Sequence, residues 1–317
     1  MDFDIVGDVH GNAGALEALL GRMDYTVRAG SWTPPAGRKL IFVGDLIDRG
    51  KRQIDSIQIA RAMVDSGHAL AIIGNHELNA MAWSRGYRED SPKNRKQHEA
   101  FLDEVGEGGT LHRELMSWFL TLPLWLELPE LRVVHACWDP WALDIFAHEA
   151  RDATLDEALL KRATSGVSNS LQANGARPAC NPVFAAAETL TKGIEVDLPS
   201  GLSYRDKDGH ERFNARIKWW LHDTTFADGA FLPRGFLETL SPDVRALMDQ
   251  ALPSEATPGY DNEKPLFLGH YWRTGLPELL TPYIACVDYS AGKGGPLVAY
   301  QWRGEERLDA ANFISSH

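Results

Sequence analysis

Only three cysteines occur in the 317 residues, at Cys137, Cys180 and Cys286. They form no CxxC pair and no even set, which excludes a disulfide framework and a thiolate zinc site, so they read as reduced thiols. Long apolar runs are missing as well. The greasiest stretch, LMSWFLTLPLWLEL, is broken by Pro123 and Glu127 and is too short to cross a bilayer. The first strand begins by about Phe3, which leaves no room for the charged and apolar regions of a signal peptide. A cytoplasmic protein with no membrane partner is expected. Basic residues are in the minority, 32 against 44 acidic ones, for a formal net charge of −12. That balance argues against nonspecific binding to long nucleic acid, which needs a field of the opposite sign. A small anion still fits, because divalent cations reverse the potential inside one pocket. There are no repeats or low-complexity tracts.

What remains is globular composition, 44% hydrophobic and 24% charged, in a chain long enough to bury a large core. The N-terminal third has a regular design. FDIVGD, KLIFVGD and ALAIIGN are short apolar runs that each end in glycine and a polar residue. Helical patterns separate them. Asn12 is placed to cap a helix carrying Ala15, Leu16, Leu19 and Met23 on one face, and Ile57, Ala60 and Val64 mark a second. This alternation predicts βαβ crossovers and a parallel sheet, whose sites form beyond the carboxyl ends of the strands. The polar residues gathered there are Asp8 with His10, Asp45 with Asp48 and Arg49, and Asn75 with His76.

Farther on, the polar, Arg-rich Ser84–Lys96 stretch reads as an exposed loop or helix end, and a helix follows around Leu111–Leu120. LRVVHACW is another buried run, ending in His135. Residues 138–262 are expected to be a mixed insertion or cap over the core of a single 1–317 domain. Within them, Thr154 and Glu157 stand at capping-box spacing, Pro242 opens a helix, and DKDGHE reads as a hairpin turn. PLFLGHYW, YIACVDYS and PLVAYQW are three further strand runs, with a hairpin expected at Arg303-Gly304.

Five motifs carry chemistry: GDVHG, GDLIDRG, GNHE, VHA and GHYW. Their oxygen and imidazole donors, Asp8, His10, Asp45, Asn75, His135 and His270, suit Mn²⁺, Fe or Zn²⁺. Asp45, on the middle of the three strands, is the natural bridge between two cations about 3.5–4 Å apart. Gly-Asp at one strand end is often only a turn. The three glycine-bounded motifs together and in this order have a chance frequency well below roughly one in a million.

The set resembles the calcineurin-like metallophosphoesterases, and within them the phosphoprotein phosphatases and diadenosine tetraphosphate hydrolases. The Arg of DRG, the Glu of GNHE, and GHYW in place of a GHxH point to that branch. The resemblance implies a four-layer α/β/β/α sandwich of two mixed sheets. It implies a first metal on Asp8, His10 and Asp45, and a second on Asp45, Asn75, His135 and His270. Two divalent ions are expected, Mn²⁺ first and Fe or Zn²⁺ as alternatives, with a water between them as nucleophile. His76 is implied as the general acid, Asp48 as its orienting carboxylate, and Arg49 as a phosphate clamp. A second phosphate-binding arginine is expected from the middle region, where Arg216 is the candidate. The activity implied is hydrolysis of a phosphate ester, phosphoserine/phosphothreonine phosphatase-like, on a small phosphorylated substrate or phosphopeptide. Dinucleoside tetraphosphate hydrolysis is the alternative, and an inactive metal-binding scaffold the third. His222, Cys137 and most of the ten tryptophans are expected to be structural, and SAGKGG a loop between strands.

Overall fold

The computed structural model describes residues 1–166, 168–178, 181–199, 202–206 and 209–317. Cys180 lies outside the described residues, as do Lys207 and Asp208 of the expected DKDGHE turn. The flanking pairs Tyr204–Arg205 and Glu211–Arg212 are antiparallel, as a hairpin requires.

Two mixed sheets form the centre. We number their strands β1 (Asp2–Val6), β2 (Arg38–Phe42), β3 (Ala69–Ala71), β4 (Trp125–Glu127), β5 (Arg132–Val134), β6 (Leu266–Leu268), β7 (Ile284–Cys286), β8 (Val298–Trp302) and β9 (Phe313–Ser315). One sheet has the order β9-β8-β1-β2-β3 and the other β7-β6-β5-β4. β1, β2 and β3 run parallel, with Ile5 opposite Ile41 and Ile41 opposite Leu70. They read as near-continuous apolar runs because both faces are covered.

Side-chain alternation assigns the faces. Phe3, Ile5, Ile41 and Val43 of the first sheet meet Val133, Phe267, Ala285 and Val287 of the second in a core between the sheets. The intervening residues, among them Val6, Leu40, Phe42, Val134, Leu266 and Leu268, turn outward into the helical core. The layers are therefore α/β/β/α. The helices are α1 (Ala13–Arg22), α2 (Gln53–Asp65), α3 (Asn75–Ser84), α4 (Pro92–Val105), α5 (Thr110–Phe119), α6 (Pro140–Glu149), α7 (Glu157–Thr164) and α8 (Pro182–Lys192). A later helix, Pro242–Met248, has Pro242 at its first position as expected. None of the described helices is long and apolar enough to cross a membrane.

Two local expectations are corrected. Asn12 stands before α1 but does not cap it. Its amide instead donates to the carbonyls of Val9 (3.1 Å), His10 (3.2 Å) and Ala291 (3.2 Å), tying the first loop to the β7–β8 turn. The cap of α7 is Asp156, whose carboxylate accepts from Leu159 N at 2.7 Å, because the helix begins only at Glu157. Thr154 lies too early and donates to Arg151 O at 2.8 Å. The Arg-rich stretch is the expected exposed loop and helix end: α4 begins at Pro92, and its Lys93 and Lys96 line the cleft at the strand ends.

Candidate metal centre and general acid

Beyond the carboxyl ends of β1, β2, β5 and β6, the chain draws the predicted side chains around Asp45. Its Oδ2 lies 3.4 Å from His135 Nε2, 3.7 Å from His10 Nε2 and 3.9 Å from His76 Nε2. Asn75 Oδ1 lies 2.9 Å from His270 Nδ1 and 3.3 Å from His135 Nε2. Asp8 Oδ2 accepts from the amide of His270 at 3.1 Å. Two groups, His10-Asp45-His76 and Asp45-His135-His270, each present ligand atoms close enough to share one cation. Asp45 belongs to both. His222 belongs to neither.

The backbone pays conformational strain to do this. His10, Asp45, Asp48, Arg49, His270 and Trp272 all have φ between 48° and 73°, where side chains other than glycine are rare. Each such residue costs on the order of 1–3 kcal/mol. Glycines next to ligands permit the closest approaches. A Cβ on Gly74 would lie 2.2 Å from Asp45 Oδ1 and 2.7 Å from His135 Cε1, and one on Gly269 would lie 2.1 Å from Asp8 Oδ1. The Asp45 loop is held by Glu77, whose carboxylate accepts from the amides of Asp45 (2.8 Å), Leu46 (2.8 Å), Ile47 (3.3 Å) and Gly74 (2.9 Å). Burial, then the Asp45 charge, pushes Glu77 up to about 7, so near neutral pH each bond contributes between the roughly 0.5–1.5 kcal/mol of a neutral hydrogen bond and the roughly 1.5–3 kcal/mol of a charged one, against the loop's strain.

The donor set fits divalent cations. His10 Nδ1 donates to Ile47 O at 2.9 Å and His135 Nδ1 to Val43 O at 2.7 Å, which leaves each Nε2 as the ligand atom facing Asp45. Asp8 Oδ1, His10 Nε2 and His270 Nε2 are buried with no hydrogen-bond partner among the described residues. Burial, then the His76 charge, pushes His10 down to about 3, the neutral form a metal takes. Burial also disfavours charge on His135, yet Asp45 outweighs it and raises that imidazole to about 10. A proton thus sits where the carboxylate calls for positive charge. Burial and the nearby Asp288 hold Asp8 well above the carboxylate range, the same deficit seen from the acid side.

His76 leans away from this cluster through Nδ1, 2.5 Å from Asp48 Oδ2. Burial lowers its basicity, but the Asp45 charge and the Asp48 bond outweigh burial and raise it above its ordinary value. Sequence reasoning missed a second imidazole on the same oxygen, His98 Nδ1 at 2.8 Å. A signal existed: His98, Phe101, Leu102 and Val105 recur at helical spacing and form the buried face of an otherwise charged α4. Arg49 lies over the Trp272 ring at 4.4 Å, and Trp272 stacks on His10 with centroids 5.4 Å apart. Cys137 lies beyond the end of β5 rather than on the strand, and burial pushes its thiol well above the ordinary value, so it is inert.

These groups open on a cavity of about 650 Å³. Arg216 lines it, 3.3 Å from Glu195. Arg49, Arg88, Lys93, Lys96 and Arg212 line it too, a concentration of positive charge on an acidic protein.

The sequence profile described as Calcineurin-like phosphoesterase matches residues 1–154. Over that span the chain is similar to the calcineurin-like phosphoesterases. The asymmetrical bis(5′-nucleosyl)-tetraphosphatase PrpE of Bacillus subtilis (strain 168) is 30% identical over 140 residues, 43% of this chain and 57% of that protein. The symmetrical bis(5′-nucleosyl)-tetraphosphatase of Vibrio parahaemolyticus is 30% identical over 149 residues, 47% of this chain and 49% of that protein. The chain spans about half the length of these relatives. A protein serine/threonine phosphatase from Saccharomyces cerevisiae with similarity to human phosphatase PP5 aligns over 99% of this chain and 78% of its own, at 14% identity and a TM-score of 0.49.

Proposed function

We propose that this calcineurin-like chain is a metal-dependent hydrolase of phosphate esters or anhydrides. The observation that carries the reading is the convergence of His10, His76 and His135 within 3.9 Å of one Asp45 oxygen, with unpartnered ligand atoms around it. Asp8, His10 and Asp45 would hold one divalent cation, and Asp45, Asn75, His135 and His270 the other. Such cations supply Lewis-acid activation of water and neutralise charge at phosphorus.

The chain's own groups do the rest. His76, with Nδ1–H held by Asp48, presents Nε2–H to the leaving oxygen and gives up that proton as the bond to phosphorus breaks. Cations on Asp45 would act against its pull on His76, while the Asp48 bond persists. The exposed Arg49 guanidinium clamps a phosphate oxygen, steadied by Trp272.

Of the two substrate classes left open by the motifs, phosphoproteins and dinucleoside polyphosphates, the second is favoured by the cleft. One phosphate occupies Arg49, and the further cations Arg88, Lys93, Lys96, Arg212 and Arg216 suit a chain of several phosphates. Purified protein with Mn²⁺ should cleave diadenosine tetraphosphate with a higher kcat/KM than any of a panel of phosphopeptides. The reverse order would return the phosphoprotein reading. Hydrolysis of neither these nor aryl phosphates would leave the inactive scaffold. Because a poor leaving group depends more on the acid, His76→Ala should lose more rate on phenyl phosphate than on p-nitrophenyl phosphate.

A further inference from the structure

A groove of about 350 Å³ opens behind Arg49, between the loop after β1, the loop after β2 and the SAGKGG loop that joins β7 to β8. Arg49 lines both this groove and the metal cleft, so the two meet at its side chain. The SAGKGG loop is docked closely there. A Cβ on Gly292 would lie 2.6 Å from His10 Cδ2 and 2.8 Å from Arg49 Cδ, so glycine is what lets the loop approach both. One buried carboxylate fixes its position. Asp288 accepts from the amide of Trp272 at 2.7 Å and, through its other oxygen, from that of Ser290 at 2.9 Å. Both of those residues sit in the left-handed region, with φ of 48° and 63°.

The docked loop carries a cation to the cleft wall. Lys293 Nζ lies 3.5 Å from the centroid of the Trp272 ring, the same ring over which Arg49 lies at 4.4 Å. Trp272 itself lines the metal cleft. An ammonium and a guanidinium gathered on one indole repel each other, and the aromatic face offsets only part of that repulsion. An anion that reaches both turns the repulsion into attraction. The groove adds Lys51, and among the described residues its lining holds neither a carboxylate nor an aromatic ring. Its remaining cation, Arg52, is already matched by Glu17 at 3.0 Å and Asp55 at 2.7 Å. A base finds nothing to stack on in such a groove, whereas a phosphate meets positive charge and no acid.

We propose that this groove is a second phosphate subsite, in which Lys293 and Lys51 bind the phosphate next to the one on Arg49, on the side away from the α4 lysines. The assignment rests on the anhydride reading above for the identity of the substrate, but inorganic anions test it separately. Both lysines are exposed, so the double variant Lys51→Met with Lys293→Met leaves the core intact, which thermal melting checks. The metal-free full chain is titrated calorimetrically with tripolyphosphate, and orthophosphate is measured by its displacement of that ligand. The parent should bind tripolyphosphate more tightly than orthophosphate, and the double variant should lose at least fivefold in the ratio of the two affinities. A smaller loss of that ratio, including an equal weakening of both anions, means that the lysines only steady Arg49 and Trp272. That result, or a parent that does not bind tripolyphosphate, overturns the proposal whatever the protein hydrolyses. With Mn²⁺ restored, the double variant should raise KM for diadenosine tetraphosphate at least fivefold relative to KM for p-nitrophenyl phosphate. If the anion ratio falls as expected but diadenosine tetraphosphate is not cleaved, the subsite stands and the substrate reading falls.

Discussion

His98 Nδ1 lies 2.8 Å from Asp48 Oδ2, in full burial, on the oxygen that also receives His76 at 2.5 Å. Burial alone would raise the Asp48 carboxyl, but the two imidazole hydrogen bonds outweigh it and hold it below the carboxylate range. A depressed carboxylate gives stability that is present above the ordinary value, near pH 4, and is lost as pH falls through the depressed one. Asp48→Asn should therefore flatten the acid limb of unfolding free energy against pH. His98→Ala should lower kcat about tenfold on phenyl phosphate with KM and bound metal unchanged. Loss of metal instead would show that His98 supports the ligands rather than the acid.

Glu77 reaches four backbone amides at once, and no other described group replaces it there. In Glu77→Gln an NH₂ must face some of those N–H donors. We expect a loss of about 3 kcal/mol in denaturant unfolding, together with weaker metal binding, because Asp45 rides on the same loop.

Gly74 has no room for a methyl group beside Asp45 Oδ1 and His135 Cε1. Its φ of −98° is open to alanine, so the cost of Gly74→Ala is steric and local to the ligands. Metal content by elemental analysis should fall while helix content by circular dichroism is kept. In the parent protein, chelation should lower the melting temperature by several degrees and Mn²⁺ should restore it, as a ligand of the folded state requires.

Lys93 and Lys96 stand one turn apart on α4 and face the cleft. Reversing both to glutamate should raise KM for a polyphosphate substrate about tenfold and flatten its dependence on salt. Aryl phosphate kinetics, which need only the position at Arg49, should change less than twofold. An equal rise for both substrates would refute the extended phosphate path.

Much of this architecture was legible because parallel strands covered on both faces read as apolar runs, and their ends carry the candidate metal ligands. FDIVGD, KLIFVGD and ALAIIGN each gave a strand and a polar end where β1, β2 and β3 stop. The caps were less legible. Asn12 and Thr154 have the right side chains at nearly the right places, but each oxygen or amide was taken by a partner that spacing does not reveal. α2 is an extreme case, since the amides of Gln53 and Ile54 are met by Glu104 of α4, at 2.6 Å and 3.0 Å.

The linear order of residues determined the candidate ligand types and their strand-end positions, because those follow from local periodicity and from which atoms can bind a hard cation, while the two-sheet layering was carried by the family resemblance. Tertiary structure alone decided that His98 shares Asp48, that α4 turns two lysines into the cleft, and that the buried Asp288 ties Trp272 to the SAGKGG loop. Those relations join segments many residues apart, and their energies come from burial and shared hydrogen bonds that exist only once the helices have packed.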